Sequence, residues 1–326
     1  MNISRRKLLL CSASAAFLPL SRKVMAAQGT VPSGPYRLVV PYSPGGGADY
    51  VARLLAAKLQ ETVGWNVVVE NRPGASGMIG TEQVARSPAN GQVLLFADAG
   101  HSVNAAIHPN ARYDPIRDFS PVTLVASSPQ LLAANPSVPV NSLAELLALP
   151  PDKVKDWGVA TTGQGSGAHL TYEMLSARTG LHLIHVPYKG GGPAINDALG
   201  GQVPLIINSV PALMPHLQAG RLKPLAIATS KRHPRLPDVQ TFGESAPGIV
   251  ATNWYGILAP AGTPDIFTAT LSQHLERVMQ MPDIQEKFSG AFLDPMPTGP
   301  TAFARFLGPE VQQWKDVVAE TGVRMD

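Results

Sequence analysis

The sequence predicts an α/β fold in two lobes, with mostly parallel strands. Apolar runs of strand length alternate with longer segments in which apolar residues recur at helical spacing, a pattern typical of α/β proteins. The chain has 326 residues, more than one hydrophobic core usually serves, so two lobes are expected. Apolar residues make up 44% of the chain and charged residues 15%, which supplies enough apolar surface for a packed core.

The predicted elements alternate from residue 36 onwards. The first strand is predicted at Tyr36–Val40 and the first helix at 49–63, where Val51, Leu55 and Leu59 fall on one face. Further strands are predicted at 66–70, 93–97, 122–134, 157–161, 182–186, 203–207 and 222–229. Further helices are predicted at 77–86, 142–149, 168–179, 193–199, 211–218, 264–281, 282–289 and 300–321. Proline at or near the start of the last three suits a first helical turn, where its missing N–H costs nothing.

Residues 1–26 are predicted to be a secretory signal peptide, so the mature protein is expected in the periplasm. Arg5, Arg6 and Lys7 precede an apolar run over 8–20. That run is too short to cross a bilayer of about 30 Å as a helix. Small residues then place cleavage near Ala26. The arginine pair favours the twin-arginine export route, and a general secretory signal with an incidental pair is the alternative.

Removal of the signal peptide changes both the charge and the cysteine content. The segment holds five of the 26 basic residues and none of the 23 acidic ones, so the mature chain has 21 basic and 23 acidic residues. This balance gives no reason to expect a nucleic-acid partner. Cys11, the single cysteine, lies in the signal. The mature chain therefore has no disulfide, thiol nucleophile or Cys-ligated metal, and no cofactor or metal is expected.

Two glycine-rich loops predict an anion site. PYSPGGGAD follows the first strand and TGQGSGAH follows the strand at 157–161, and each precedes a predicted helix. The first amides of a helix have no internal partner, the helix dipole is positive there, and glycine lets a ligand approach closely. Ligands of α/β proteins bind at the carboxyl ends of parallel strands. We therefore expect one loop in each lobe, facing the other across a cleft.

Hydroxyl groups in these loops add donors for an anion. Ser43, Thr161, Thr162 and Ser166 can each donate to a carboxylate oxygen. Ser166 can equally act as an N-cap for its helix, and a carboxylate such as Asp49 is common in a first helical turn. The loops by themselves would suit phosphate as well as carboxylate.

The motifs of common enzyme classes are incomplete, so the protein is not expected to be an enzyme. The Gly-Lys-Ser/Thr ending of a P-loop is absent, and GQGSG has its serine one place away from the esterase pattern G-x-S-x-G. The glycines at 163, 165 and 167 do not complete a dinucleotide fingerprint. His101 and His169 have no clear carboxylate partner in the sequence. A hydrolase of small esters or amides is kept as an alternative of lower rank.

Four longer segments resemble one known family. They are VPYSPGGGADYVARLLA, VVVENRPGASGMIG, HVPYKGGGPAINDALGGQV and GRLKPLAIATSKRHPRLPDVQTFGE, and they are similar to the solute-binding proteins of tripartite tricarboxylate transporters, also called Bug receptors. The resemblance implies a two-lobed periplasmic binding protein fold of type II, whose lobes close by a hinge. It implies a first lobe of residues 30–125 plus 252–326 and a second lobe of 126–251.

The resemblance also implies a ligand and a ligand-binding set. A monomer would capture a small carboxylate, such as a di- or tricarboxylate, an acidic amino acid or an aromatic acid, for membrane transporter subunits. Family ligands are held largely through backbone amides and bridging waters. Carried onto this sequence, the set is Ser43, Pro44, Gly45, Gly46, Asp49, Ala75, Ser76, Asp98, His101, Thr161, Thr162, Gly163, Gly165, Ser166, His169, Tyr188 and Asn208.

This sequence departs from the family pattern near the expected cleft. Asp98 stands where relatives often have Ser, Thr or Asn, and Asn208 stands where acidic residues are common. These departures leave the identity of the acid open. A ligand-sensing accessory of a periplasmic signalling system would have the same fold and site, so the sequence does not separate it from a transport receptor.

Overall fold

The computed structural model describes residues 34–108 and 111–321, and within them the chain forms an α/β fold. The predicted signal peptide lies outside these ranges. The strands are β1 (Tyr36–Val40), β2 (Val67–Asn71), β3 (Val93–Asp98), β4 (Phe119–Ala134), β5 (Gly158–Thr161), β6 (Ile184–Pro187), β7 (Leu205–Ser209), β8 (Lys223–Ile227), β9 (Thr252–Pro260) and β10 (Asp294–Pro295).

Helices separate most of the strands along the chain. They are α1 (Gly47–Val63), α2 (Met78–Ala85), α3 (Ala99–Ile107), α4 (Leu143–Leu147), α5 (Pro151–Val154), α6 (Gly167–Thr179), α7 (Gly191–Leu199), α8 (Val210–Gln218), α9 (Phe242–Ser245), α10 (Asp265–Met279), α11 (Pro282–Gly290) and α12 (Pro300–Thr321). A single 3₁₀ turn at Ala75–Gly77 precedes α2. Each predicted strand and helix has a counterpart whose ends differ by no more than three residues, whereas α3, α5, α9 and β10 were not predicted.

The strands form two sheets that share β4. In the first sheet the order is β2-β1-β3-β9-β4, with β10 also paired to β4; in the second, β4 pairs with β7 and β8, and β7 continues to β5 and β6. Only the β1–β2, β1–β3, β5–β6 and β5–β7 pairs are parallel. The expectation of mostly parallel strands is therefore wrong around β4 and β9. β4 and β9 are antiparallel to each other and to every other strand with which they pair.

β4 passes from one sheet to the other without a break. Pro129 is its last residue paired with β9, opposite Thr252, and Gln130 is its first residue paired with β7, opposite Ser209. The junction between the sheets thus lies between two consecutive residues. β9 begins at the same level, so both connections cross close together.

Each sheet is covered by apolar residues on both faces. In the first sheet Leu38 and Phe96 pack against α1 and α10, whereas Val39 and Leu95 point into a separate core with α12. This follows from the two-residue period of a strand, which sends neighbouring side chains to opposite faces.

The second sheet repeats the arrangement. Leu132 and Leu205 pack towards α6, and Leu131 and Ile206 pack towards α7 and α8. Fully buried aliphatic side chains of this kind contribute roughly 1.5–3 kcal/mol each. No helix within residues 34–108 or 111–321 combines the length and hydropathy needed to cross a membrane.

Candidate ligand-binding site

A cavity lies between the two sheets, beside the junction in β4. It is lined from the side of the first sheet by Tyr42, Ser43, Gly46, Gly47, Ala48, Asp49, Asp98, Asn253 and Tyr255, and from the side of the second sheet by Gln130, Thr162, Gly167, Gly191, Asn208 and Ser209. Among these described residues none is Lys, Arg or His. An anion in this cavity would therefore depend on neutral donors.

Five helices begin at the cavity. β1, β3, β5, β6 and β7 each end there and are followed by α1, α3, α6, α7 and α8, and each of these helices contributes its N-cap or first residue to the lining. The first amides of each helix have no acceptor within the helix, and the dipole makes that end positive. The positive ends of these helix dipoles therefore point at the cavity without a cationic side chain.

The start of α1 leaves its amides available. Its N-cap, Gly46, has no side chain to cap the helix, and the first intrahelical bond runs from Tyr50 N to Gly46 O at 3.0 Å. The amides of residues 47–49 precede that bond, so they have no helical acceptor. Gly47 lies so close to the second sheet that an added Cβ would be 2.4 Å from Ser209 Oγ.

Asp49 stabilises this loop. Some of the lone pairs on its carboxylate are already used by protein donors, so they cannot accept from a ligand. Its carboxylate accepts from Gly45 N at 3.1 Å, from Asn71 Nδ2 at 3.0 Å and from Arg53 Nε at 3.0 Å, and its ion pair with Arg53 measures 2.9 Å. Burial raises the pKa of Asp49, but these hydrogen bonds outweigh burial, and the pKa lies below its ordinary value. Asp49 therefore stays ionised and neutralised by Arg53.

In the second glycine loop, side chains of the loop itself accept hydrogen bonds from much of the backbone N–H. Ser166 Oγ accepts from His169 N at 3.2 Å and so caps α6. His169 Nδ1 accepts from Gly165 N at 3.0 Å, which places the ring hydrogen on Nε2, 3.2 Å from a carboxylate oxygen of Glu173. Thr162 and Gly167 are the residues of this loop that line the cavity.

Two histidines pack together and support the second glycine loop. The rings of His169 and His185 stack with their centroids 4.0 Å apart, and His185 Nε2 lies 2.7 Å from Thr161 Oγ1. Burial, assisted by the neighbouring His169, lowers the pKa of His185 to about 4. His185 is therefore neutral at physiological pH and supports the loop without adding charge.

The first loop faces a third glycine loop that was not predicted as part of the site. This loop, Lys189–Gly192, begins α7; Ser43 N donates to Lys189 O at 2.9 Å across the two sheets. A Cβ on Gly46 would lie 3.3 Å from Gly191 N, and one on Gly191 would lie 2.8 Å from Asn208 Nδ2. The KGGG run before a predicted helix was the available signal, but only Tyr188 beside it was assigned to the site.

Hydrogen bonds connect Asp98 and its neighbours to the first glycine loop and to β9. Asp98 Oδ1 accepts from Tyr42 Oη at 2.7 Å and from Gly100 N at 3.0 Å, and Asn253 Oδ1 accepts from Ala99 N at 3.1 Å. Burial raises the pKa of Asp98 to about 6, although its hydrogen bonds to Tyr42, Gly100 and Asn253 act in the opposite direction. Of the two carboxylates in the lining, Asp98 is thus the one whose pKa is raised.

The comparisons with known proteins agree with this architecture. Residues 51–323 match the model of the tripartite tricarboxylate transporter family receptor. The chain belongs to this family. Its members are periplasmic receptors and not enzymes, which agrees with the sequence-based expectation. This receptor is therefore a periplasmic solute-binding protein, and both the resemblance and the fold class predicted from sequence are confirmed.

Three similar proteins illustrate the relationship. The protein BugT of Bordetella pertussis is 36% identical over 299 residues, covering 91% of this chain and 92% of BugT. The structure of R. palustris Rpa4515 with adipate is similar with a TM-score of 0.87 and 33% identity, covering 90% of this chain and 99% of that one. MatC from Rhodopseudomonas palustris with bound malate gives a TM-score of 0.81 and 31% identity, covering 87% and 98%.

Two side chains of the receptor's cavity have unmatched polar atoms. Asn208 is 3% exposed, and its Nδ2 donor has no hydrogen-bond partner among the described residues. Gln130 is 4% exposed, and its Oε1 acceptor is likewise without one. Buried polar groups are nearly always satisfied by protein, water or ligand. Asn208 Nδ2 therefore requires a further acceptor, and Gln130 Oε1 requires a further donor.

The structure places six members of the predicted set in the lining: Ser43, Gly46, Asp49, Asp98, Thr162 and Asn208. Pro44 and Gly45 line an adjoining opening, together with Gly192 and His216. Thr161, Gly163, Gly165, Ser166 and His169 form the framework of the second loop described above.

The remaining predicted residues lie at the rim or farther away. Ser76 Oγ donates to Gln164 O across the sheets, next to Ala75. Tyr188 Oη donates to Asp197 Oδ2 at 2.7 Å, so its ring is directed at α7.

His101 does not reach the cavity. Its ring is 3% exposed, lies 2.9 Å from Pro115 O through Nε2, and packs edge-on against Phe119. The reason is that it lies on the side of α3 that faces the core. Burial lowers the pKa of His101 to about 4, as expected of a neutral core histidine.

Besides the third glycine loop, four lining residues lie outside the segments predicted to form the site: Gln130, Ser209, Asn253 and Tyr255. All lie in strands or directly beside them and have no local motif. Tyr255 Oη donates to Ser209 Oγ at 3.1 Å, from β9 to β7. Only the pairing of distant strands brings such residues together, so the sequence contains no short-range signal for them.

Proposed function

We propose that this receptor captures a small organic carboxylate in its cavity and delivers it to the membrane subunits of a tripartite transporter. The convergence of five helix N-termini on a cavity lined without cationic side chains supports an anionic ligand. Two similar proteins hold adipate and malate, which supports a carboxylate over a phosphate. The ligand and the delivery step are the proposed parts.

The donors that would bind the carboxylate are the first amides of α1, the Gly191 amide and Asn208 Nδ2. Gly46 and Asn208 both lie against Gly191, so these donors form one group. Hydrogen bonds to a charged acceptor contribute roughly 1.5–3 kcal/mol each. Micromolar affinity requires about 8 kcal/mol, so three to five such bonds suffice after the cost of ordering.

Two lobes closing on a hinge would complete the binding site. We assign residues 30–125 plus 252–326 to the first lobe and 126–251 to the second, so that each lobe contains one sheet except that residues 126–129 of the first sheet fall in the second lobe. β4 and β9 would form the hinge, because they are the strands that cross. The bonds from Ser43 N to Lys189 O and from Tyr255 Oη to Ser209 Oγ would be those that form on closure.

Export would precede function. In this proposal the twin-arginine signal directs the chain across the inner membrane, and cleavage near Ala26 releases the receptor into the periplasm as a monomer. Intact-mass analysis of protein purified from the periplasm would check the cleavage site. Replacement of Arg5 and Arg6 by Lys should retain the precursor in the cytoplasm if the twin-arginine route is used.

A ligand screen tests the proposed class. The mature protein, unfolded and refolded to remove any bound solute, is screened by thermal shift against mono-, di- and tricarboxylates, with phosphate and sulfate as the anion controls. At least one carboxylate should raise the melting temperature and bind with micromolar affinity in calorimetry. Stabilisation by phosphate or sulfate alone, with no response to any acid, would contradict the proposal.

The delivery step requires a separate measurement. The carboxylate identified in the screen is supplied in labelled form to cells with and without the receptor gene. Uptake should fall in the deletion strain and return with the wild-type gene. Unchanged uptake would leave capture in place but refute delivery.

A further inference from the structure

We propose that the acid bound by this receptor also carries a cationic nitrogen, and that Asp98 is the counter-charge for that nitrogen. The ligand would then be a zwitterion, with its carboxylate at the glycine loops and its cation at Asp98. The proposal rests on the function proposed above, because it concerns the same cavity.

The charge balance of the cavity leads to this assignment. Two carboxylates line the cavity, Asp49 and Asp98. Asp49 is neutralised by Arg53 at 2.9 Å. Asp98 has no ion pair among the described residues, and its donors Tyr42 Oη and Gly100 N are neutral. The cavity therefore contains one uncompensated negative charge.

A half-buried carboxylate without an ion-pair partner is costly, and it determines which ligands fit beside it. The pKa of Asp98, about 6, is raised by burial but still leaves the group mostly ionised near neutral pH. A second carboxylate next to Asp98 would be repelled strongly at low dielectric, whereas an ammonium group would form a charge-assisted hydrogen bond. Asp98 thus disfavours a plain diacid and favours a cation.

The two unmatched atoms of the cavity have opposite hydrogen-bonding requirements. Asn208 Nδ2, an unmatched donor, lies beside Gly191, which in turn contacts Gly46. Gln130 bears the unmatched acceptor Oε1, and it lies with Asn253 around Gly167: an added Cβ there would be 3.3 Å from Gln130 Nε2 and 3.9 Å from Asn253 Oδ1.

Asn253 places Gln130 next to Asp98, because it also accepts from Ala99 N. Asn208 Nδ2 therefore requires an acceptor, and Gln130 Oε1 requires a donor close to Asp98. The carboxylate of a zwitterion supplies the acceptor, and its ammonium group supplies the donor.

Matched ligand pairs test the proposal in the wild-type protein. Succinate is compared with aspartate, glutarate with glutamate, and butyrate with 4-aminobutyrate, each by calorimetry at pH 7.5, together with the best ligand of the carboxylate screen. The tightest ligand should contain a cationic nitrogen and bind at least ten-fold more tightly than its partner without nitrogen. The proposal is overturned if the tightest ligand has no such nitrogen.

Variants then connect the preference to Asp98. Asp98→Asn and Asp98→Ser should each remove most of the preference, by weakening the zwitterion and strengthening the plain acid. Asp316→Asn, on the exposed side of α12, is the matched control and should retain it. Equal weakening of both members of a pair would mean that Asp98 only maintains the shape of the cavity.

Failure of this inference can be told apart from failure of the proposed function. If plain diacids bind tightly and Asp98 variants do not alter their ranking, the receptor still binds carboxylates and only the cation site is refuted. If no acid of either kind binds, the carboxylate function itself is refuted.

Discussion

Gly46 allows the start of α1 to lie directly against the start of α7. An added Cβ would be 3.3 Å from Gly191 N and 3.4 Å from Gly191 Cα, closer than most side-chain contacts. We expect Gly46→Val to lower ligand affinity at least 100-fold, because its methyl groups would occupy the anion site and hold the two sheets apart. Calorimetry with the ligand from the screen measures the loss.

Gly308→Val is the matched control for this substitution. Gly308 lies within α12, and an added Cβ there meets no atom within 4 Å. Affinity should be unchanged in the control. Near-normal affinity in Gly46→Val would refute the assignment of the first glycine loop to the ligand.

Asp98 should make stability depend on pH. Its folded-state pKa, about 6, lies above the ordinary value of 3.8. The stability contribution is therefore fully present below pH 3.8 and is lost as the pH rises through 6, by about 1–3 kcal/mol. Asp98→Asn removes this dependence, so its melting temperature relative to wild type should rise between pH 4 and pH 8. A difference that stays constant with pH would contradict the buried, ionisable Asp98.

At the scale of the element, α6 depends on its N-cap. Ser166 Oγ accepts from His169 N at 3.2 Å and is absent from the cavity lining. We expect Ser166→Ala to lower the free energy of unfolding by about 1 kcal/mol and to weaken ligand binding only modestly. Denaturant titration and calorimetry measure the two effects, and Ser166→Thr should restore stability. A large loss of affinity with unchanged stability would instead make Ser166 a direct ligand contact.

How well the fold could be predicted from the sequence differs from one element to another. α1 was predicted because its apolar residues form one stripe over 17 residues. α3 was not predicted, because it has only nine residues and follows β3 with no residue between them. The glycine loops of the site were predicted from local chemistry. Gln130 and Asn253 depend on the pairing of β4 with distant strands, which no local pattern records.

At the scale of the whole molecule, the two sheets are joined by β4 and β9. If these strands flex as a hinge, the ligand selects the closed form, in which Ser43 N bonds to Lys189 O. We expect small-angle scattering to show a smaller radius of gyration with saturating ligand than without it. The Gly46→Val variant should not contract. An unchanged radius in the wild-type protein would exclude a closing motion of detectable size.

The position of β9 between β3 and β4 also determines when the first sheet can fold during synthesis on the ribosome. The second sheet needs only residues up to β8, so it can form while the rest of the chain is still being made. The first sheet must wait for β9: Ala99 and its partner Asn253 are 154 residues apart, roughly 8–30 seconds of translation. A nascent chain released before that point would have one finished half and three amino-terminal strands with an open edge, a form prone to aggregation and without a complete cavity.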